Sequence, residues 1–236
     1  MMGATPLILF PGMGADRRIF DPQIAVFPQL IVPAWIKPEP HESLPHYAER
    51  FAHVIDPHCP CYVGGASFGG FIALEAARHL QTRACFLIGS VRTPGELPMR
   101  IRILRKLKHL LPKVPFEWIA PLVGVTVRLS GDRMRPLTHR VMKIVAESDA
   151  AYIRWACGAV LSWDPSAIAP TFPIFQIHGR RDQVLPARRT HPDTLVASGG
   201  HLLTLTRPEQ VNHFLDEKLH TFADDPDAAE DATATV

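Results

Sequence analysis

The apolar positions of this chain fall into short runs, separated by longer stretches in which apolar and polar residues recur at helical spacing. Glycine, proline or small polar residues bound each short run, a pattern typical of buried strands. The clearest example is Leu7–Phe10, which Pro11 and Gly12 follow directly. We predict strands at about residues 7–10, 30–32, 61–63, 84–88, 174–177 and 194–197.

The stretches between these runs predict amphipathic helices. Ser43 suits the N-cap of one helix, because Leu44, Tyr47 and Phe51 follow at helical spacing. Helices are predicted at about residues 44–55, 71–80 and 207–222. Strands that alternate with helices predict an α/β fold, with a mostly parallel central sheet that helices cover on both faces.

The alternation stops between about residues 94 and 170. Helical periods broken by prolines fill this segment, which is too long for a loop. We therefore expect an α/β core from residues 1–92 and 168–223, with a helical cap inserted at 93–167. The acidic tail, 224–236, has no apolar periodicity and is predicted to be disordered.

A glycine-rich turn carries the strongest chemical signal. The sequence Gly65-Ala66-Ser67-Phe68-Gly69 lies between a strand-like run and a helix-like run, the context that a nucleophile elbow requires. Glycines allow a turn so sharp that a side chain at Gly65 or Gly69 would strike neighbouring backbone. Ser67 is the predicted nucleophile; the alternative is a simple glycine-rich connection.

A serine nucleophile needs a base and an acid that orients the base. His201 follows Gly200 in a loop after the last predicted strand, and it is the expected base. Asp182 follows the strand before it and is the expected acid. Glu96, soon after the 84–88 strand, is the rival for the acid position.

The remaining site residues are predicted from their neighbourhood. The backbone N–H groups of Met13 and Phe68 are expected to form an oxyanion hole, since both lie in turns at strand ends. The expected substrate-binding residues are Gly12, Met13, Phe68, Trp155 and Trp163. No metal site and no cofactor are predicted.

These motifs resemble those of the α/β-hydrolase fold superfamily, in particular the small, capped bacterial serine hydrolases. The resemblance covers most of residues 5–222, and it implies Ser67 as nucleophile, Asp182 as acid and His201 as base. The chain departs from the family pattern in three ways. Pro11 stands where a histidine is common, the first strands of the family are missing, and the short Asp182–His201 interval implies a trimmed helix.

Composition indicates the class of protein, the redox state of its cysteines and its cellular location. The 236 residues are 47% hydrophobic and 20% charged, as in an ordinary globular protein with a sizeable core. The N-terminus lacks a signal-peptide pattern, and the four cysteines include no Cys-x-x-Cys pair. We therefore expect reduced thiols and a cytoplasmic location.

The net charge of +2 conceals a basic segment. Residues 100–143 carry eleven lysines and arginines against two acids. This segment is interpreted as a solvated face, a funnel for an anionic substrate, or a surface for acidic lipid or nucleic acid, of which the solvated face is favoured. We predict no nucleic-acid partner and no stable membrane insertion, with peripheral membrane contact through the basic cap left open. The sequence does not indicate an oligomeric state.

Taken together, these patterns predict a serine hydrolase that cleaves a carboxylic ester or thioester through an acyl-enzyme. The partner is then a small-molecule acyl substrate. The alternative is a non-hydrolytic protein on the same scaffold, either a lyase or a ligand-binding protein.

Overall fold

The computed structural model describes residues 4–106, 135–165 and 169–223. The predicted acidic tail at 224–236 and the cap residues 107–134 and 166–168 lie outside the described residues. Four of the eleven lysines and arginines in the basic segment also lie outside the described residues, namely Lys108, Lys113, Arg128 and Arg133.

Six parallel strands form one sheet in the order β2-β1-β3-β4-β5-β6. The order confirms the predicted parallel sheet, in which each crossover carries helical structure. The strands are β1 (Leu7–Phe10), β2 (Leu30–Ile31), β3 (Cys61–Ala66), β4 (Thr82–Ile88), β5 (Ile174–Gly179) and β6 (Thr194–Val196).

The strand register brings the functional turns to one edge. Phe10 pairs with Gly65, Ala66 pairs with Ile88, and Ile88 pairs with Ile177. Because the carboxyl ends are level, the turns that follow β1, β3, β4 and β5 lie side by side. This edge is where ligands bind in open α/β sheets.

Strand β3 continues through Gly64 and Gly65, three residues beyond the predicted end. Glycine usually indicates a turn, which is why the prediction stopped early. A Cβ on Gly64 would lie 2.6 Å from the Phe86 carbonyl oxygen and 2.8 Å from a Leu9 methyl carbon. The neighbouring strands therefore leave no room for a side chain.

Helices cover both faces of the sheet. They are α1 (Asp21–Ile24), α2 (Leu44–Ile55), α3 (Phe68–Ala76), α4 (Met99–Lys106), α5 (Arg135–Ala146), α6 (Ala150–Ser162), α7 (Leu203–Thr206) and α8 (Pro208–Ala223). Alternate residues of β1 point to opposite layers: Ile8 and Phe10 join the core under α2 and α3, whereas Leu7 and Leu9 join the core under α8.

Within the predicted insertion, the segment that includes α5 and α6 packs against the turn that follows β1. A Cβ on Gly14, in the turn after β1, would come within 3.4 Å of Val145 and Ser148, and would lie closer still to Ile153. Ion pairs at 2.6 and 2.7 Å join Arg140 to Asp21 and Arg18 to Glu147. Helices α5 and α6 are thus held against the turns that carry the site.

The cysteines and the helix lengths can be compared with the sequence predictions. All four cysteines are free thiols, as predicted. Among the described residues, none of the helices combines the length and apolar character needed to cross a bilayer.

Candidate active site

Ser67 occupies a strained turn between β3 and α3. Its backbone has φ +53° and ψ −121°, a region that residues with a Cβ rarely adopt. The turn is held because the Ser67 amide donates to the Ile88 carbonyl at 3.0 Å and the Ser90 hydroxyl donates to the Ser67 carbonyl at 2.7 Å. The side chain is therefore fixed at the sheet edge, where it is partly exposed.

The two glycines of the turn are required for steric reasons, as predicted. A Cβ on Gly65 would overlap the backbone of Gly69, and a Cβ on Gly69 would overlap the carbonyl oxygens of Phe10 and Pro11. Backbone atoms cannot move aside as a flexible side chain can. The close approach of α3 to β1 and β3 consequently depends on glycine at both positions.

The structure brings Ser67, His201 and Asp182 into one hydrogen-bonded chain. The Asp182 carboxylate can only accept, so the His201 Nδ1–H donates to Asp182 Oδ2, at 2.7 Å. The neutral imidazole then has a free lone pair on Nε2, which accepts the Ser67 hydroxyl proton at 2.8 Å. This tautomer is the one that a general base needs.

Asp182 is buried, and both of its carboxylate oxygens accept hydrogen bonds. Its Oδ1 accepts the backbone N–H groups of Val184 and Leu185 at 2.8 and 2.9 Å. Burial by itself raises the pKa of Asp182, but the nearby His201 and His178 outweigh that effect and hold the pKa well below its usual value. Asp182 therefore stays ionised and can stabilise a positively charged His201.

Glu96 does not take the acid position in this structure. Its carboxylate accepts the backbone N–H of Arg92 at 2.8 Å, and burial raises its pKa. By contrast, a Cβ on Gly89, at the end of β4, would lie 3.8 Å from both Asp182 Oδ2 and His201 Nδ1. The end of β4 therefore contacts the Asp182–His201 pair through a glycine rather than through a carboxylate.

The two expected oxyanion amides lie beside Ser67. Phe68 is the first residue of α3, so its N–H has no partner within the helix. A Cβ on Gly12 would lie 3.8 Å from the Ser67 Cβ, which places the turn containing Met13 next to the nucleophile. Among the described residues, no group accepts a hydrogen bond from the Met13 or Phe68 amide. Both amides are available to a ligand.

The two tryptophans expected to bind substrate have different surroundings. Trp155 is half-buried, and its ring centroid lies 6.1 Å from that of Phe68. Trp163 is only 1% exposed, with its Nε1–H donating to Glu75 Oε1 at 2.8 Å. We correct the expectation for Trp163, because a residue so deeply packed behind Phe71 stabilises the core instead.

Three residues near the site were not predicted as site residues from the sequence. His178 is fully buried, and its Nε2 lies 3.3 Å from Asp182 Oδ2 and 2.6 Å from the Leu185 carbonyl oxygen. Trp35 packs against Phe68, and Tyr152 packs against Trp35. The His178-Gly179 pair at a strand end was a visible signal, whereas nothing local distinguishes Trp35 or Tyr152 from ordinary core residues.

One group of side chains among the described residues has the spacing of metal ligands, namely Glu39, Glu42 and His46. Arg50 donates to both oxygens of Glu42 at 3.0 Å, and His46 contacts the same carboxylate at 2.9 Å. These contacts already neutralise the carboxylate. The group is therefore explained as an ion-pair network between α2 and the segment that precedes it.

Known structures share this architecture at low identity. An esterase from Thermogutta terrifontis aligns with a TM-score of 0.67 and 18% identity over 92% of this chain and 90% of that protein. An esterase from Exiguobacterium antarcticum aligns with a TM-score of 0.70 and 15% identity over 93% of each chain. The enol-lactonase from Burkholderia xenovorans gives a TM-score of 0.69 and 14% identity over 92% of each chain.

These likenesses establish the fold and no more. A comparison with curated proteins gave no match to the sequence. The model of the alpha/beta hydrolase family matches residues 7–214, which is most of the chain. The matched range includes Ser67, Asp182 and His201. This chain belongs to the alpha/beta hydrolase family.

Proposed function

We propose that this protein is a serine hydrolase that cleaves a carboxylic ester or thioester through an acyl-enzyme. The observation that carries the proposal is the continuous hydrogen-bond chain from Ser67 Oγ through His201 to Asp182, at 2.8 and 2.7 Å. A serine hydroxyl is a weak nucleophile until a base removes its proton, and this chain supplies that base in the required tautomer.

In the acylation half-reaction, Ser67 Oγ attacks the carbonyl carbon while His201 Nε2 takes the hydroxyl proton. Negative charge develops on the carbonyl oxygen, and the Met13 and Phe68 amides donate to it. The tetrahedral intermediate then collapses, and the C–O or C–S bond to the leaving group breaks. The protonated His201 gives its proton to the departing alcohol or thiol.

In the deacylation half-reaction, water replaces the leaving group. His201 accepts a proton from water as the oxygen attacks the acyl-enzyme carbonyl. Collapse of the second intermediate returns the proton to Ser67 Oγ and releases a carboxylic acid. Throughout both halves, the ionised Asp182 fixes the ring of His201 and stabilises its charged form.

A fluorophosphonate probe tests the nucleophile directly. It should label the wild-type protein on the peptide that contains Ser67, and Ser67→Ala should remain unlabelled. Ser43→Ala is a matched control, because Ser43 only caps α2, with its Oγ accepting the His46 amide at 3.3 Å. A folded wild type that takes no label would contradict the proposal and favour a non-hydrolytic protein on this fold.

A substrate panel distinguishes esters from thioesters. p-Nitrophenyl esters should give a burst of p-nitrophenol if acylation outruns deacylation. Arg102 and Lys106 on α4 are exposed cations that could attract an anionic thioester. In that case KM for a charged thioester rises with salt, whereas KM for a neutral ester stays constant. An equal salt response for both substrates argues against electrostatic attraction by this helix.

A further inference from the structure

Four aromatic rings form a closed set of contacts beside the nucleophile. We call Trp35, Phe68, Tyr152 and Trp155 the aromatic cluster. The ring centroids lie 5.9 Å apart for Trp35–Phe68, 6.1 Å for Phe68–Trp155, 5.8 Å for Trp155–Tyr152 and 5.2 Å for Tyr152–Trp35. Phe68 directly follows Ser67, while Tyr152 and Trp155 come from α6. The cluster therefore joins the nucleophile turn to α6.

The polar atoms at the tips of these rings are not equally satisfied. Trp35 Nε1–H donates to the Ala15 carbonyl at 2.9 Å, and Trp155 Nε1–H donates to the Glu42 carbonyl, also at 2.9 Å. The Tyr152 hydroxyl is buried and has no hydrogen-bond partner among the described residues. One polar group in an otherwise satisfied cluster thus lacks a partner.

An orphaned hydroxyl in a core is uncommon, since nearly all buried polar groups are hydrogen-bonded. Phenylalanine would fill the same space without that cost. A trapped water normally makes about three hydrogen bonds, and both indole N–H groups of the cluster are already used. Tyr152 contacts Trp35 and Trp155, the two rings that pack against Phe68 beside the nucleophile, and this position makes a substrate atom the better candidate for the missing partner.

We propose that the Tyr152 hydroxyl binds the substrate, by donating a hydrogen bond to a neutral oxygen, such as a ketone or an ether, in its apolar part. The aromatic cluster then packs against the carbon skeleton around that oxygen. This inference rests on the proposed function, because it assigns the cluster to the substrate of Ser67. It names the substrate class as an oxygen-bearing apolar ester or thioester.

The buried, apolar surroundings of the Tyr152 hydroxyl favour a neutral oxygen as its acceptor. Burial raises the pKa of Tyr152 well above its ordinary value, so the hydroxyl stays protonated and can donate. A carboxylate on the substrate would have to lose its hydration among apolar rings, at a large cost. A neutral acceptor loses much less hydration and still satisfies the hydroxyl.

Matched ligand pairs test the inference without requiring hydrolysis. Binding of p-nitrophenyl hexanoate and its 5-oxo counterpart to Ser67→Ala is measured by tryptophan fluorescence. Further pairs carry the ketone at neighbouring carbons, in the acyl half and in the alcohol half. We expect at least one oxo ligand to bind about 5- to 100-fold more tightly than its hydrocarbon partner. Adding Tyr152→Phe should reduce that ratio to about one.

Tyr47→Phe is the matched control. Tyr47 lies in the same core with its ring 4.2 Å from Trp155, but its hydroxyl already donates to the Ile36 carbonyl at 2.9 Å. In the Ser67→Ala background, Tyr47→Phe should keep the oxo preference. Absence of any preference, or a preference that survives Tyr152→Phe, overturns the inference.

Thermal unfolding supplies a second readout that is independent of activity. Tyr47→Phe removes a satisfied hydrogen bond and should lower Tm by about 2–4 °C, whereas Tyr152→Phe should leave Tm unchanged or raise it. A Tyr152→Phe protein that melts as early as Tyr47→Phe, or that does not fold, shows a hydroxyl already bonded in the free protein and overturns the inference. Loss of fluorophosphonate labelling instead refutes the proposed hydrolase.

Discussion

The positive φ of Ser67 should make the nucleophile a destabilising residue. Its backbone angles, φ +53° and ψ −121°, cost a residue with a Cβ about 1–3 kcal/mol. Ser67→Gly removes the Cβ and relieves this strain, whereas Ser67→Ala keeps it. Both variants lose the hydroxyl and its contact with His201, so the difference between them isolates the backbone term.

The magnitude follows from two opposing effects. Glycine at position 67 stabilises the folded protein by relieving the backbone strain. It also makes the unfolded chain more flexible, which lowers stability by about 0.4–1 kcal/mol relative to alanine. The net expectation is that Ser67→Gly has a free energy of unfolding about 1 kcal/mol above that of Ser67→Ala. For a chain of this size, that difference raises Tm by about 2–4 °C.

Urea denaturation and thermal melting of both variants measure this difference. Ser90 provides the internal control, because it is buried in the adjacent turn and is not among the residues with positive φ. At this position, the free energy of unfolding of Ser90→Ala should exceed that of Ser90→Gly by about 0.4–1 kcal/mol. If the Ser67 pair shows the same order as the Ser90 pair, the turn is not strained and the reasoning fails.

Three further predictions follow from other contacts. Asp182→Asn should lower kcat/KM for an ester about 10³–10⁴-fold, because the base loses its tautomer. The lowered pKa of Asp182 means that its stabilisation is present above about pH 4 and lost as the pH falls, so this variant should show a shallower decline in stability under acid. Trp163→Phe removes the hydrogen bond that the indole N–H donates to the buried Glu75 carboxylate, and it should reduce the free energy of unfolding by about 1–3 kcal/mol while KM is unchanged; a raised KM would restore Trp163 to the substrate site. Gly69→Ala should cost about 4 kcal/mol or more and abolish soluble expression, whereas Gly12→Ala, whose Cβ meets only ordinary 3.8 Å contacts, should fold with a normal melting curve.

Most of the fold could be predicted because its signals are local. The strand at residues 7–10, the Ser43 N-cap and the helix beginning near Pro208 each depend on a few adjacent residues. The alternation of strands and helices then leaves few arrangements other than a parallel sheet. Errors occurred where packing overrides local preference, as in β3, whose glycines lie within a strand because the neighbouring strands approach so closely.

The order of the chemical groups, and the kind of turn that carries each, could be predicted from local sequence. Ser67 could be singled out because the surrounding glycines reflect a steric demand that is visible in five residues. Local context likewise predicted the other two groups, because His201 follows paired glycines and Asp182 follows a strand.

Which of these groups come into contact depends on how the elements pack together. This packing separates Glu96 from the acid position, since that carboxylate turns to the Arg92 amide, and it buries Trp163 behind the core. It also assembles the aromatic cluster from three segments far apart in the chain. Such contacts depend on the volume and direction of side chains from remote elements, and no periodicity within a single element encodes them.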